Sequence, residues 1–171
     1  REDRRELDAV ADGLAASLKA LPQARAALLP FHLPSDRHAS DHVAERMRSA
    51  GIPEGRIERH PGTEHPRDML LAAAACDALV GMRLHSLIYA ATSGVTPVAV
   101  SYDPKIDQFM RRLGEEPVCD TETASAETLA GALLRAIDVG RAEWYGAKRA
   151  RIGEMQQNSR VPAQQIIFGM R

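Results

Sequence analysis

Cysteine is scarce in this chain of 171 residues: only Cys76 and Cys119 occur, far apart and with no CxxC pair. That pattern excludes a disulfide-stapled secreted scaffold and fits a reduced, cytoplasmic setting. Aromatic residues make up 4% and the formal charge is −1, so the chain has few platforms for base stacking and no basic field to hold a polyanion; no nucleic-acid partner is expected. No apolar run approaches the ~20 residues that span a bilayer, and no signal peptide is visible. Several chemical motifs are also missing. Without GxGxxG or GxxxxGK[ST] there is no local support for a dinucleotide or Walker-type site. Ser86 and Ser101 sit in no nucleophile elbow. His38 and His42 are four apart without HExxH, so no metal site is expected.

What the chain does have is alternation. Residues 2–20 read as an amphipathic helix with Leu7, Val10, Leu14 and Leu18 on one side. Ala26 to His32 reads as a buried strand, Asp36 to Ala50 as a helix ending at Gly51, and Arg56 to His60 as a short charged strand. A helix from Pro66 to Cys76 leads into the strand Ala78-Leu79-Val80-Gly81, and a second buried strand runs from Val95 to Val100. Pro117-Val118-Cys119 is a third; Ser125 then opens a helix carrying Leu129, Leu133, Leu134 and Ile137. Short apolar strands between longer helices predict an α/β fold: a Rossmann-like, doubly wound parallel sheet covered on both faces. The expected organisation is one domain over 1–171, with an α/β core at 1–140 and charged C-terminal helices at 141–171. The charges of 141–154 read as an exposed helix face, and His60 and His65 as flanks of a solvated loop. Because the chain opens on Arg-Glu-Asp-Arg-Arg-Glu without Met, it reads as part of a longer polypeptide.

The stretch from Gly81 to Lys105 concentrates the chemistry. In Gly81-Met82-Arg83-Leu84-His85-Ser86 the residues Leu84, Leu87, Ile88 and Ala91 form a core-facing stripe, which leaves Arg83, His85 and Ser86 off it. In Ser101-Tyr102-Asp103-Pro104-Lys105 the pattern predicts Asp103 as N-cap and Pro104 at the first helical position, with Ile106, Phe109, Met110 and Leu113 inward and Lys105 and Arg112 outward. A lysine in the first turn of a helix adds to the partial positive charge already there, a cost that an anion reverses. If both helices follow parallel strands, their starts share one sheet edge, where open α/β folds bind ligands. A phosphate or carboxylate pocket is the expectation. His32 and Asp36 fall at the same edge, after the first strand. The plainer alternatives are that Arg83 and His85 cap and solvate a helix start, and that Lys105 pairs with Asp103 or Asp107.

The block from Asp77 to Ala90, with Gly-Met-Arg-Leu-His-Ser at its centre, followed by Gly94-Val95-Thr96-Pro97-Val98 and Ser101-Tyr102-Asp103-Pro104-Lys105-Ile106, resembles the polysaccharide pyruvyl transferase family. It looks nearest the branch that pyruvylates cell-wall polymers, the CsaB-like enzymes, over about residues 26–115. The resemblance implies the C-terminal Rossmann-like half of a two-domain, glycosyltransferase-B-type enzyme, its N-terminal domain lying outside this chain, so that the fragment alone is expected to be inactive. It further implies transfer of a pyruvyl group from phosphoenolpyruvate to two hydroxyls of a sugar as a cyclic ketal. The donor is a substrate, and no cofactor or metal is expected. By the same resemblance His85 and Lys105 are the catalytic residues, and Arg83 is an anion contact. Gly81, Ser86, Tyr102 and Asp103 of the two motifs, with His32 and Asp36, complete the expected substrate-binding set. The implied acceptor is a lipid-linked or polymeric glycan, handled at the inner face of the cytoplasmic membrane. Two other readings stand beside this one: a nucleotide-sugar-dependent glycosyltransferase or epimerase of the same fold, and a noncatalytic module that binds anionic glycan.

Overall fold

The computed structural model describes residues 4–62 and 65–168, with side chains as far as 159. Strand and helix alternate as the sequence pattern predicts: α1 (Arg5–Ala20), β1 (Ala26–Leu28), α2 (Ser35–Ser49), β2 (Ile57–Arg59), α3 (Pro66–Ala74), β3 (Ala78–Gly81), α4 (Leu84–Thr92), β4 (Thr96–Ser101), α5 (Pro104–Leu113), β5 (Cys119–Asp120), α6 (Ala126–Val139) and α7 (Arg141–Phe168). All strand pairings are parallel: β1 with β2, β3 with β4, and β4 with β5. The fold is α/β and Rossmann-like. Where a single sheet was expected, however, the described strands form two hydrogen-bonded sets, β1-β2 and β3-β4-β5.

Helices cover both faces. Val98 and Val100 of β4 pack with Ala9 of α1 and with Leu129, Leu133 and Ala136 of α6. Ala99, on the opposite face by strand alternation, packs with Leu87 of α4, Ile106 and Met110 of α5, and Trp144 of α7. On the first face Ala11, Ala15 and Leu18 of α1 join Val43 and Met47 of α2 over Ala26, Leu28 and Ile57. The layers are therefore α2-α1-α6 on one side and α3-α4-α5-α7 on the other, which is the doubly wound arrangement.

Two local readings need correction. The Leu7-Val10-Leu14-Leu18 stripe packs only in part: Leu18 is buried and Leu7, Val10 and Leu14 are half-buried against the helix clusters, while the other buried positions of α1 are the small residues Ala9, Ala11, Gly13, Ala15 and Ser17. Small residues let α1 press close to α6, where a Cβ on Gly13 would lie 2.8 Å from Leu129 Cβ. Nor are the charges after 140 merely an exposed face. Arg141 donates to the carbonyls of Ala74 and Ser93 at 2.9 Å each and of Gly94 at 3.4 Å, so one guanidinium satisfies the open C-terminal ends of α3 and α4. Lys148 likewise donates to Gly114 O at 2.9 Å and pairs with Glu115.

Candidate active site

Because β3 and β4 run parallel with Gly81 beside Ala99, the helices that follow them start side by side at the C-terminal edge of the sheet. The two starts differ. At α5, Asp103 is the N-cap; its carboxylate accepts from the Lys105 backbone N–H at 2.9 Å, and Pro104 fills the first turn. At α4 the N-cap position is Arg83, extended at φ −99 and ψ 130, with no side-chain hydrogen bond to the helix amides and no acidic residue in the first turn. The sequence pattern treated both starts as anion sites. In the structure α5 holds its own carboxylate, while α4 leaves its dipole end without one.

The α4 turn is tightly built. Ser86, nearly fully buried, donates to Arg83 O at 2.7 Å, and a Cβ on Gly81 would lie 2.6 Å from Ser86 Oγ and 2.7 Å from Leu87 Cδ2. Gly81 is therefore there for close approach of strand to helix, and Ser86 holds the turn with its hydroxyl engaged. Ser86 still borders the cavity at this edge.

Arg83 reaches across the edge to the other strand set. Its Nη2 lies 2.6 Å from Asp36 Oδ1, and Asp36 Oδ2 accepts from the backbone N–H groups of His32 at 2.9 Å and Phe31 at 3.1 Å. Burial pushes the Asp36 carboxyl upward, but the Arg83 hydrogen bond and charge together with the two N–H donors outweigh it, and the group ends below its ordinary value. The Asp36 bond raises Arg83, with Tyr102 acting in the same direction. No spacing rule links residues 47 apart, so this pair is invisible in the sequence. His32 turns its ring toward Ser35, with Nδ1 3.1 Å from Ser35 Oγ.

His85 and Lys105 are both exposed, each in the first turn of its helix. Among the described residues neither side chain has a recorded hydrogen-bond or ion-pair partner, so the expected alternative of Lys105 pairing with Asp103 or Asp107 is not what is found. Tyr102 is about half exposed. Arg83, Tyr102, Gly81, Ser86 and Asp36 all border one cavity, whereas His85, Lys105, Asp103 and His32 stand outside its wall. His42 is engaged elsewhere, 2.7 Å from Asp8. Among the described residues no group of three or more His, Cys, Asp or Glu is placed to hold a metal ion, and no helix is long and apolar enough to cross a membrane.

The family model of polysaccharide pyruvyl transferases matches residues 4–104, well over half of the chain. The chain belongs to the polysaccharide pyruvyl transferase family. The match runs from the residue before α1 to the first residue of α5, so it takes in Arg83, His85 and the rest of the expected site except Lys105, one position beyond it. No individually curated protein matches the chain. As a member of this family the pyruvyl transferase chain is of the class of enzymes that act in polysaccharide modification.

Proposed function

We propose that the α4 start is the donor site of a pyruvyltransferase that takes phosphoenolpyruvate and forms a pyruvate ketal on a sugar of a cell-wall or exopolysaccharide polymer. The observation that carries this reading is the uncapped N-terminus of α4, flanked by Arg83 and His85, beside the Lys105 turn of α5. Phosphoenolpyruvate brings a phosphate and a carboxylate, and both suit helix amides and cationic side chains. His85 is exposed in the first turn of α4, within reach of a substrate bound at that helix start, as a general acid-base needs. It delivers a proton to C3 of the donor; C2, now electron-poor, is attacked by the first sugar hydroxyl. The C2–O bond to phosphate breaks, the second hydroxyl closes the ketal, and inorganic phosphate leaves with the remaining proton. Lys105 and Arg83 stabilise the charge that grows on the leaving phosphate. Asp36 acts in this scheme as the group that aims Arg83, which explains its place among the expected binding residues without contact to the donor.

Other parts of the reading are proposals of the same kind: a lipid-linked or polymeric acceptor, work at the cytoplasmic membrane surface, and completion of the acceptor site by a further domain of the same polypeptide. The test is calorimetric titration of phosphoenolpyruvate into wild type, Arg83→Ala and Lys105→Ala, with nucleotide-sugars as controls. Saturable donor binding that weakens in both variants is expected. Binding of a uridine or cytidine nucleotide-sugar in its place would transfer the site to the glycosyltransferase reading. In the catalytically complete enzyme His85→Ala should lower turnover by about 10²–10⁴-fold with binding largely kept; near-wild-type turnover would remove His85 from its role.

A further inference from the structure

The division of the sheet into two sets is the least expected feature of the fold, and it leaves a groove. A cavity of about 1390 Å³ runs between β1 and β3 and is walled by the consecutive residues 26–29 on one side and 78–82 on the other. Its roof is α1 and α6: Leu7, Val10 and Leu14, the stripe that does not pack fully, face it together with Leu133 and Ile137. Leu71 of α3, 58% exposed, lines its floor.

The facing strands are not made for an edge. Ala26-Ala27-Leu28 and Ala78-Leu79-Val80-Gly81 carry no charge, the composition of strands covered on both faces and flanked on both sides. Sheet edges that meet solvent are normally blunted by lysine, proline or a bulge. Yet β1 is buried-exposed-buried and β3 only half-buried at Ala78 and Val80, whereas β4, with a neighbour on each side, is buried at every residue after Thr96. On β1 the Leu28 carbonyl accepts from His60 N–H on the β2 side. By alternation the backbone groups of Ala27 and Leu29 point into the groove, as an open edge that a further strand could pair.

Topology names the occupant. From β3 the chain steps through α4 to β4 and through α5 to β5 in one direction with helices on one face; from β1 it steps through α2 to β2 in the other direction, with its helix on the other face. α1 lies beside α2 on that same face and above the groove, the place of a right-handed crossover from a groove strand into β1. The start of α1 opens at the C-terminal edge, where Arg5 and Glu6 border the cavity with Arg83 and Asp36. A turn of two to six residues, usual for βα connections, would suffice to enter it.

We propose that the groove between β1 and β3 is the seat of a sixth parallel strand, an apolar segment of this same polypeptide lying immediately N-terminal to α1. The order becomes β2-β1-new strand-β3-β4-β5, a doubly wound sheet whose direction of winding reverses at the new strand. Its C-terminal end then falls beside the Asp36–Arg83 pair, at the edge where the α4 start lies. The inference rests on the split sheet and holds whichever donor the site takes.

The test extends the chain at its N-terminus by the twenty residues encoded directly before Arg1. In the extended protein, NMR contacts should run from amides of one added segment to β1 on one side and to β3 on the other. Hydrogen exchange of Ala27, Leu29 and the β3 amides should slow by at least about 100-fold against the chain that begins at Arg1. Two prolines placed at alternate positions of the added segment should abolish both effects, since they remove ladder donors. Contacts to only one edge or to neither would overturn the proposal. So would contacts that appear only between differently labelled molecules in a mixed sample, which would make the occupant a second copy.

Discussion

The helices α4 and α5 are near twins in packing and opposites in what their N-termini offer. Each follows a parallel strand to the same edge, and each buries an apolar stripe in one shared cluster, with Leu87 and Leu113 almost completely inside. α5 begins on Asp103, whose carboxylate is its own anion, whereas α4 begins on Arg83 with no cap. A helix that caps itself is anchored and closed to ligands. One that is held instead by its strand turn, through Gly81 and Ser86, keeps its amides for something else. The donor site proposed above rests on that difference: it takes the start whose N-cap side chain leaves the helix amides unengaged.

The largest expected effect tests the equivalence of the two stripes. Leu87→Ala and Leu113→Ala should each lower stability by about 2–5 kcal/mol in denaturant unfolding, because each opens a cavity in the same layer. A large loss at one and almost none at the other would show that the helices are not packed alike. Gly81→Ala comes next: its methyl has no room against Ser86 Oγ and Leu87 Cδ2, and the strain should cost about 1–3 kcal/mol, read as a lowered midpoint.

Exchange of the caps sharpens the contrast directly. Asp103→Ala should cost α5 about 1 kcal/mol. Arg83→Asn gives α4 a side-chain cap of its own; donor affinity in calorimetry should fall while helix stability is kept or rises slightly. An Arg83→Asn protein that binds donor as wild type does would mean that the α4 amides are not the anion site.

The smallest effect concerns the bridge between the strand sets. Asp36 is depressed in the folded protein, so its pairing with Arg83 contributes stability that is present above the ordinary aspartate range and lost as pH falls through the lowered folded value. Arg83 is 44% exposed, which limits the pair to about 1 kcal/mol or less. Wild type and Asp36→Asn should differ in unfolding free energy near pH 6, and the difference should shrink steadily toward pH 2.5. A constant difference would assign the loss to the Phe31 and His32 amide contacts instead.

Much of the site was legible because its logic is local. Asp103-Pro104 spells a helix start within two residues, and the three-and-four spacing of Leu84, Leu87, Ile88 and Ala91 fixes which way Arg83, His85 and Ser86 do not point. The alternation of strands and helices likewise predicts parallel pairing, and it is found. What could not be read depends on partners far away in the chain. Arg141 looked like one charge among many until the fold set the ends of α3 and α4 around it. The α1 leucine stripe was legible as apolar, but its occupation was not: Leu7, Val10 and Leu14 are only half-buried against the α2 and α6 clusters and also border the groove between β1 and β3.

By itself the sequence determined the order and type of the elements, the two helix starts at one edge and the motif residues of a pyruvyl transferase, because hydrophobic period, capping and turn chemistry act over a few residues. Only the tertiary structure decided that Asp36 would hold Arg83, that Arg141 would close the ends of α3 and α4, and that the sheet would part between β1 and β3. Those outcomes turn on which charged groups and strand edges come to face one another across the fold, and chain spacing carries no term for that.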